Sequence, residues 1–85
     1  MTDENFTDLV RVKAQFYALE ASHADYCAGL PRDPTEDQRG RLRSEQESLT
    51  RAALRIHQHP AFENLSQLER YELDKAASKE ARTGA

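Results

Sequence analysis

Two side chains with the chemistry of metal ligands or nucleophiles, His23 and Cys27, stand four residues apart. On a helix that spacing puts an imidazole and a thiol on one face, where they would serve a metal ion if further ligands converged. The remaining histidines are His57 and His59. In an antiparallel pairing of the two long helical segments, His57 falls opposite residue 8 or so, about 15 residues from His23, or roughly 20 Å at 1.5 Å per residue. One chain cannot gather these groups, and His57 and His59, two apart, point to opposite sides of a helix. The sequence therefore predicts no metal site and no cofactor. His23 reads as a partly buried seam residue and Cys27 as a small core residue. His57 and His59 read as cations in a last helical turn, where the macrodipole favours them. No triad partner for Cys27 or the histidines is evident in helix register, and neither a phosphate-binding glycine loop nor a nucleophile elbow is present. The chain is not expected to be an enzyme.

The other charged constellation is Arg39, Arg41, Arg43, Arg51 and Arg55. These arginines alternate with Asp37, Glu45 and Glu47, and the pairs Asp37 with Arg41 and Glu47 with Arg51 have the stabilising i, i+4 order. A solvated helix face is the expectation, since no aromatic residue sits among them to stack on a base. A helix-turn-helix over residues 53–81 fits on element lengths alone. Its third helix, however, would present Glu63, Glu69, Glu72, Asp74 and Glu80 to phosphates.

The elements that position these residues follow from spacing. From Asn5 to Ala28 there is no Pro or Gly, and Leu9, Val12, Phe16, Leu19, His23, Tyr26 and Leu30 alternate at three and four, the seam of a helix packed on another helix. A second row, Phe6, Val10, Ala14, Tyr17, Ala21, Ala24 and Ala28, lies beside it. Helix 1 is thus apolar over more surface than one neighbour covers. Gly29-Leu30-Pro31-Arg32-Asp33-Pro34 breaks it, since Gly suits a helix end and each Pro disfavours helix in the residue before it. Asp33 is expected to cap helix 2, with Pro34 at its first position and Glu36 completing a capping box. Helix 2 should run to His57 or Gln58, stop before Pro60, and lie antiparallel to helix 1 across this short connection. Its seam is thin: Leu42, Leu49, Ala52, Ala53 and Ile56. Pairing the seams sets Leu9 near Ile56, Phe16 near Leu49 and His23 near Leu42, with Leu19 facing a polar stretch. An imidazole opposite Leu42 would be desolvated, so that acid would weaken the hairpin. After Pro60, the residues Phe62, Leu65, Leu68, Leu73 and Ala76 share a broad arc of a third helix capped by Asn64 or Ser66.

The turn from Gly29 to Pro34, at this chain length, resembles that of the small all-helical chorismate mutases over about six residues. That family's site needs basic residues projecting inward from the long first helix. Here the bases on that helix are Arg11 and Lys13, with none between Gln15 and Leu30, so no catalytic residue carries over.

Composition agrees with a single small helical domain. Of 85 residues, 38% are hydrophobic and 32% charged, with no Trp, three Gly and three Pro, which suits exposed helices around a narrow seam rather than a turn-rich sandwich or barrel. One Cys closes no intrachain disulfide, the acidic start from Met1 to Phe6 is unlike a secretory signal, and no long apolar run is present to span a bilayer. A cytoplasmic protein is expected. The net charge of −3 gives no electrostatic drive toward nucleic acid.

The expected architecture is therefore all-α. It has an antiparallel helical hairpin (about 5–29 and 34–58), a shorter third helix (about 61–81), a single domain over 1–81 and a disordered tail over 82–85, as a three-helix bundle or a hairpin-based dimer. The expected function is a non-enzymatic protein-protein interaction module, self-associating or binding a protein partner through the surplus face of helix 1. Phe6, Val10 and Tyr17, with Phe62, Leu65 and Leu68, are the candidate contact residues. No membrane, small-molecule substrate or direct nucleic-acid partner is expected. The alternative is a small regulatory protein acting on DNA or on a transcription or replication machine.

Overall fold

The computed structural model describes residues 2–83 and among them shows three helices and no strand: α1 (Thr2–Ala28), α2 (Glu36–Gln58) and α3 (Gln67–Thr83). α2 returns antiparallel to α1, for Ile56 near its end packs on Leu9 near the start of α1, while Glu45 reaches His23. α3 runs parallel to α1. Its Asp74 binds Lys13 and Tyr17, and farther along Ser78 and Ala81 line a groove with Ala18 and Ala21. The chain is thus the three-helix bundle that the two apolar rows of α1 call for. α1 packs against both other helices, whereas among the described residues α2 and α3 have no Cα pair within 8 Å of each other.

The bulk of the core lies at one end. Leu9 and Leu73 are wholly buried and Ile56 nearly so, one from each helix, with Phe6, Val10, Val12, Phe16, Ala61, Phe62 and Leu65 packed around them. Elsewhere the buried residues are Ala14, Ala52 and Ala77, whose small side chains let helix surfaces approach closely but contribute little apolar area. Leu19, expected to face a polar stretch, is 40% exposed. The molecule is elongated, 49 × 24 × 19 Å, with a radius of gyration of 15.1 Å against about 12 Å for a compact chain of this length. Its accessible surface of 6540 Å² likewise exceeds the ~5,100 Å² expected for its mass. Among the described residues, no helix is long and apolar enough to cross a membrane.

Helix boundaries follow the caps. Thr35, not Asp33, is the N-cap of α2: its Oγ1 accepts from the Gln38 amide at 3.2 Å while Gln38 Oε1 accepts from the Thr35 amide at 2.8 Å. Thr35-Glu36-Asp37-Gln38 satisfies the capping box two residues later than Asp33-Pro34-Thr35-Glu36, and with reciprocal bonds. Asp33 instead accepts from Arg39 Nη2 at 3.0 Å. α3 begins at Gln67 rather than near residue 61, because Ser66 and Glu69 form a second reciprocal pair there. The residues before it form turns closed by Phe62 N–H to the His59 carbonyl and Leu65 N–H to the Phe62 carbonyl. At its other end α3 continues through Arg82 and Thr83, expected as loose tail. The Thr83 hydroxyl bonds back to the carbonyls of Lys79 and Glu80. Gly84 and Ala85, the rest of that tail, lie outside the described residues.

Two stability measurements check this account. Leu9→Ala should cost about 2–5 kcal/mol in urea unfolding, the range for a fully enclosed leucine. Gly40, inside α2 with nothing within 4 Å of where a Cβ would stand, should gain about 1 kcal/mol on replacement by Ala.

Candidate functional site

Four of the six residues expected to meet a partner, Phe6, Val10, Phe62 and Leu65, are half-buried against the chain's own Leu9, Ile56 and Leu73. The ring of Phe62 is further enclosed by the edge of His57, with centroids 5.2 Å apart, and by the Arg70 guanidinium 5.1 Å away. Tyr17 is turned to α3, its hydroxyl donating to Asp74 Oδ1 at 3.0 Å. Leu68 alone of the six is open to solvent, at 67% exposure, and Tyr71 beside it is 64% exposed. The surplus apolar face of α1 in its first half is thus covered by α3 and by the turns that precede it.

What stays uncovered is the second half of α1. Tyr17, Ala18, Ala21, Ser22 and Asp25 face Ser78, Ala81 and Arg82 of α3 across an open groove of ≈ 590 Å³. Its walls are mostly alanine and serine, so a further helix could lie close to the backbone there. Leu68, Tyr71, Lys75, Ser78 and Arg82 recur at three and four along α3, and all are exposed. They form one outer stripe that carries Leu68 and Tyr71 at its start and Ser78 and Arg82 at the groove.

Polar ties hold each outer helix to α1. On the α3 side, Lys13 and Tyr17 both bind Asp74. The bond from Lys13, helped by that from Tyr17 and opposed by partial desolvation, lowers the Asp74 carboxyl below its ordinary 3.8, while burial and Asp74 raise the Tyr17 phenol above 10.0. On the α2 side, His23 meets a carboxylate as well as the seam. Its Nδ1 lies 2.7 Å from Glu45 Oε1, because the long Glu45 side chain spans the turn of helix between its own position and the one opposite His23. Glu45 Oε2 accepts from Arg41 Nε at 3.0 Å, and the Arg41 guanidinium lies over the Tyr26 ring, 4.0 Å from its centroid. Bonds from His23 and Arg41 lower the Glu45 carboxyl below its ordinary 4.5. Cys27, exposed rather than a core residue, places Sγ 3.6 Å from His23 Nε2.

His57 and His59 go separate ways. Nδ1 of His59 accepts from the Ala61 amide at 3.1 Å, which leaves the proton on Nε2 to bond Asp8 Oδ2 at 2.9 Å. Among the described residues no set of three His, Cys, Asp or Glu is placed to hold a metal ion. Three of the five arginines are engaged with carboxylates: Arg39 with Asp33, Arg41 with Glu45, and Arg51 with Glu47 at 3.9 Å. Arg41 thus takes Glu45 in place of Asp37. No protein family, curated protein or solved structure matches this chain.

The pH dependence follows from the carboxylates. Glu45 and Asp74 are both lowered on folding. Their contribution is therefore complete above the unfolded values near 4, and is lost as acid takes the pH down through the folded ones. Stability measured by urea melts should fall from about pH 5 toward pH 3. Glu45→Gln with Asp74→Asn should make that fall shallower.

Proposed function

We propose that this chain is a non-enzymatic helical interaction module whose partner is a second copy of itself, joined through the outer stripe of α3 and the groove beside it. The observation that carries the reading is the pairing of an exposed ridge of large apolar residues on α3 with an open groove, mostly alanine and serine, where α3 meets α1. About a two-fold axis near Lys75, antiparallel α3 helices would bring Tyr71 of each copy against Ser78 and the flank of α1 in the other, large into small, and Leu68 against the aliphatic stem of Arg82. Lys75 at the centre would lie along the seam with its ammonium in water. An elongated shape and a surface well above that of a compact monomer fit a protomer whose packing is completed by association. The engagement of Arg39, Arg41 and Arg51 with carboxylates weighs against a phosphate-binding role. A single cysteine suits a reducing compartment such as the cytoplasm.

Sedimentation equilibrium over a wide concentration range tests this. The wild type should shift from monomer to dimer, and replacing Leu68 and Tyr71 together by Glu should raise the dissociation constant at least about tenfold, or 1.4 kcal/mol. Both residues lie outside the core, so circular dichroism should be unchanged. A wild type that stays monomeric up to about 1 mM would overturn the self-association reading.

A further inference from the structure

Independently of the α3 surface, the loop end of the hairpin assembles a nucleophile, a base and a carboxylate in sequence. Cys27 Sγ stands 3.6 Å from His23 Nε2, and the opposite nitrogen of the same ring, Nδ1, stands 2.7 Å from Glu45 Oε1. A carboxylate can only accept, so Nδ1 carries a proton, and in the neutral ring Nε2 presents its lone pair to the thiol. His23 and Cys27 are one turn apart on α1, Glu45 is fixed by Arg41, and Arg41 is itself stacked on Tyr26. The imidazole and carboxylate are largely covered, with side-chain exposures of 18% and 21%, while the thiol is open to solvent. A thiol buried in the seam would be inert and a thiol alone on a surface would be ordinary. This one is accessible and beside an oriented base.

We infer that Cys27 is a reactive thiol, activated by His23 and positioned through Glu45, whose substrates are small-molecule disulfides and whose product is a mixed disulfide at the end of α1. In the step, the thiol proton passes to His23 Nε2 and the sulfur attacks one sulfur of the disulfide. The S–S bond breaks, its electron pair leaves with the second sulfur, and that thiolate takes the proton back from Nε2. One Cys27 thiol and one disulfide give one mixed disulfide and one free small thiol. Cys27 is oxidised, the released sulfur is reduced, and no other reactant is consumed. Glu45 touches neither sulfur. It acts by holding the proton of the neutral ring on Nδ1, so that Nε2 faces the thiol, and by stabilising the imidazolium formed on the way.

The test is the second-order rate of thiopyridone release from dithiodipyridine by the full-length chain near neutral pH. The folded chain is compared with the same chain unfolded in urea, corrected with a free thiol under both conditions. The folded protein should react about three- to tenfold faster than the unfolded one. His23→Gln should remove that advantage, and Glu45→Gln should reduce it in part. Nitrogen NMR of the imidazole should show the proton on Nδ1 in the wild type and shared between the two nitrogens in Glu45→Gln, a change that a packing role would not produce. Circular dichroism identifies any variant that fails to fold; for such a variant the folded-to-unfolded ratio of the wild type and the Glu45→Gln spectrum decide. A folded rate equal to or below the unfolded one, or a His23→Gln rate matching the wild type, would overturn the assignment.

Discussion

Enclosure of Leu9 by Ile56 from one side and Leu73 from the other is the contact on which the other packing depends. Burying one leucine contributes roughly 1.5–3 kcal/mol, and the three large residues here come from three different helices. The shared layer fixes the height of α2 and of α3 along α1. From that layer the outer helices rise along different flanks of α1 without meeting, since no α2 residue comes within 8 Å of an α3 residue by Cα. Above the layer the buried residues are alanines, and position is held by polar ties instead, Asp74 to Lys13 and Tyr17 on one flank, Glu45 to His23 on the other.

That division places the reactive groups. Where packing is dense, at the Leu9 end, side chains are confined among apolar neighbours, and His57 and His59 are occupied by Phe62 and Asp8. Where packing is thin, toward the hairpin loop, a histidine and a glutamate can occupy the seam and meet. Gln38, Glu45 and Ser48 of α2 stand there at partly buried positions. A core of leucines at the same height would have left no room for His23 and no bonded carboxylate beneath Cys27.

The two apolar rows of α1 were legible as spacing, and with them the need for two neighbours, the antiparallel return of α2 and the pairing of Leu9 with Ile56. The starts of α2 and α3 were less legible because competing signals overlap. Asp33 and Thr35 each head a capping motif, and the reciprocal bond through Gln38 decides between them. Phe62 and Leu65 fit the apolar arc of a helix, yet turn residues can meet the same core, and the Ser66 and Glu69 pair sets where the helix begins. The site was harder still. Seam pairing treats side chains as points opposite one another, which put Leu42 against His23. Glutamate is long enough to answer from the adjacent turn, and spacing alone does not show it. Whether Phe6 and Val10 would be covered by α3 was a tertiary question that periodicity does not answer.

Because α1 is shared by α2 and α3, its assembly is spread along the chain. α1 is synthesised before α2 and α2 before α3, so Ile56 exists before Leu73 does. At about 5–20 residues per second, a ribosome needs roughly 1–5 s to make the 25 or so residues that separate the end of α2 from the end of α3. Until α3 is made, the row of Phe6, Val10, Ala14 and Tyr17 lacks the helix that covers it. The same row that specifies the third helix is then a surface that a chaperone, or another nascent chain, meets first.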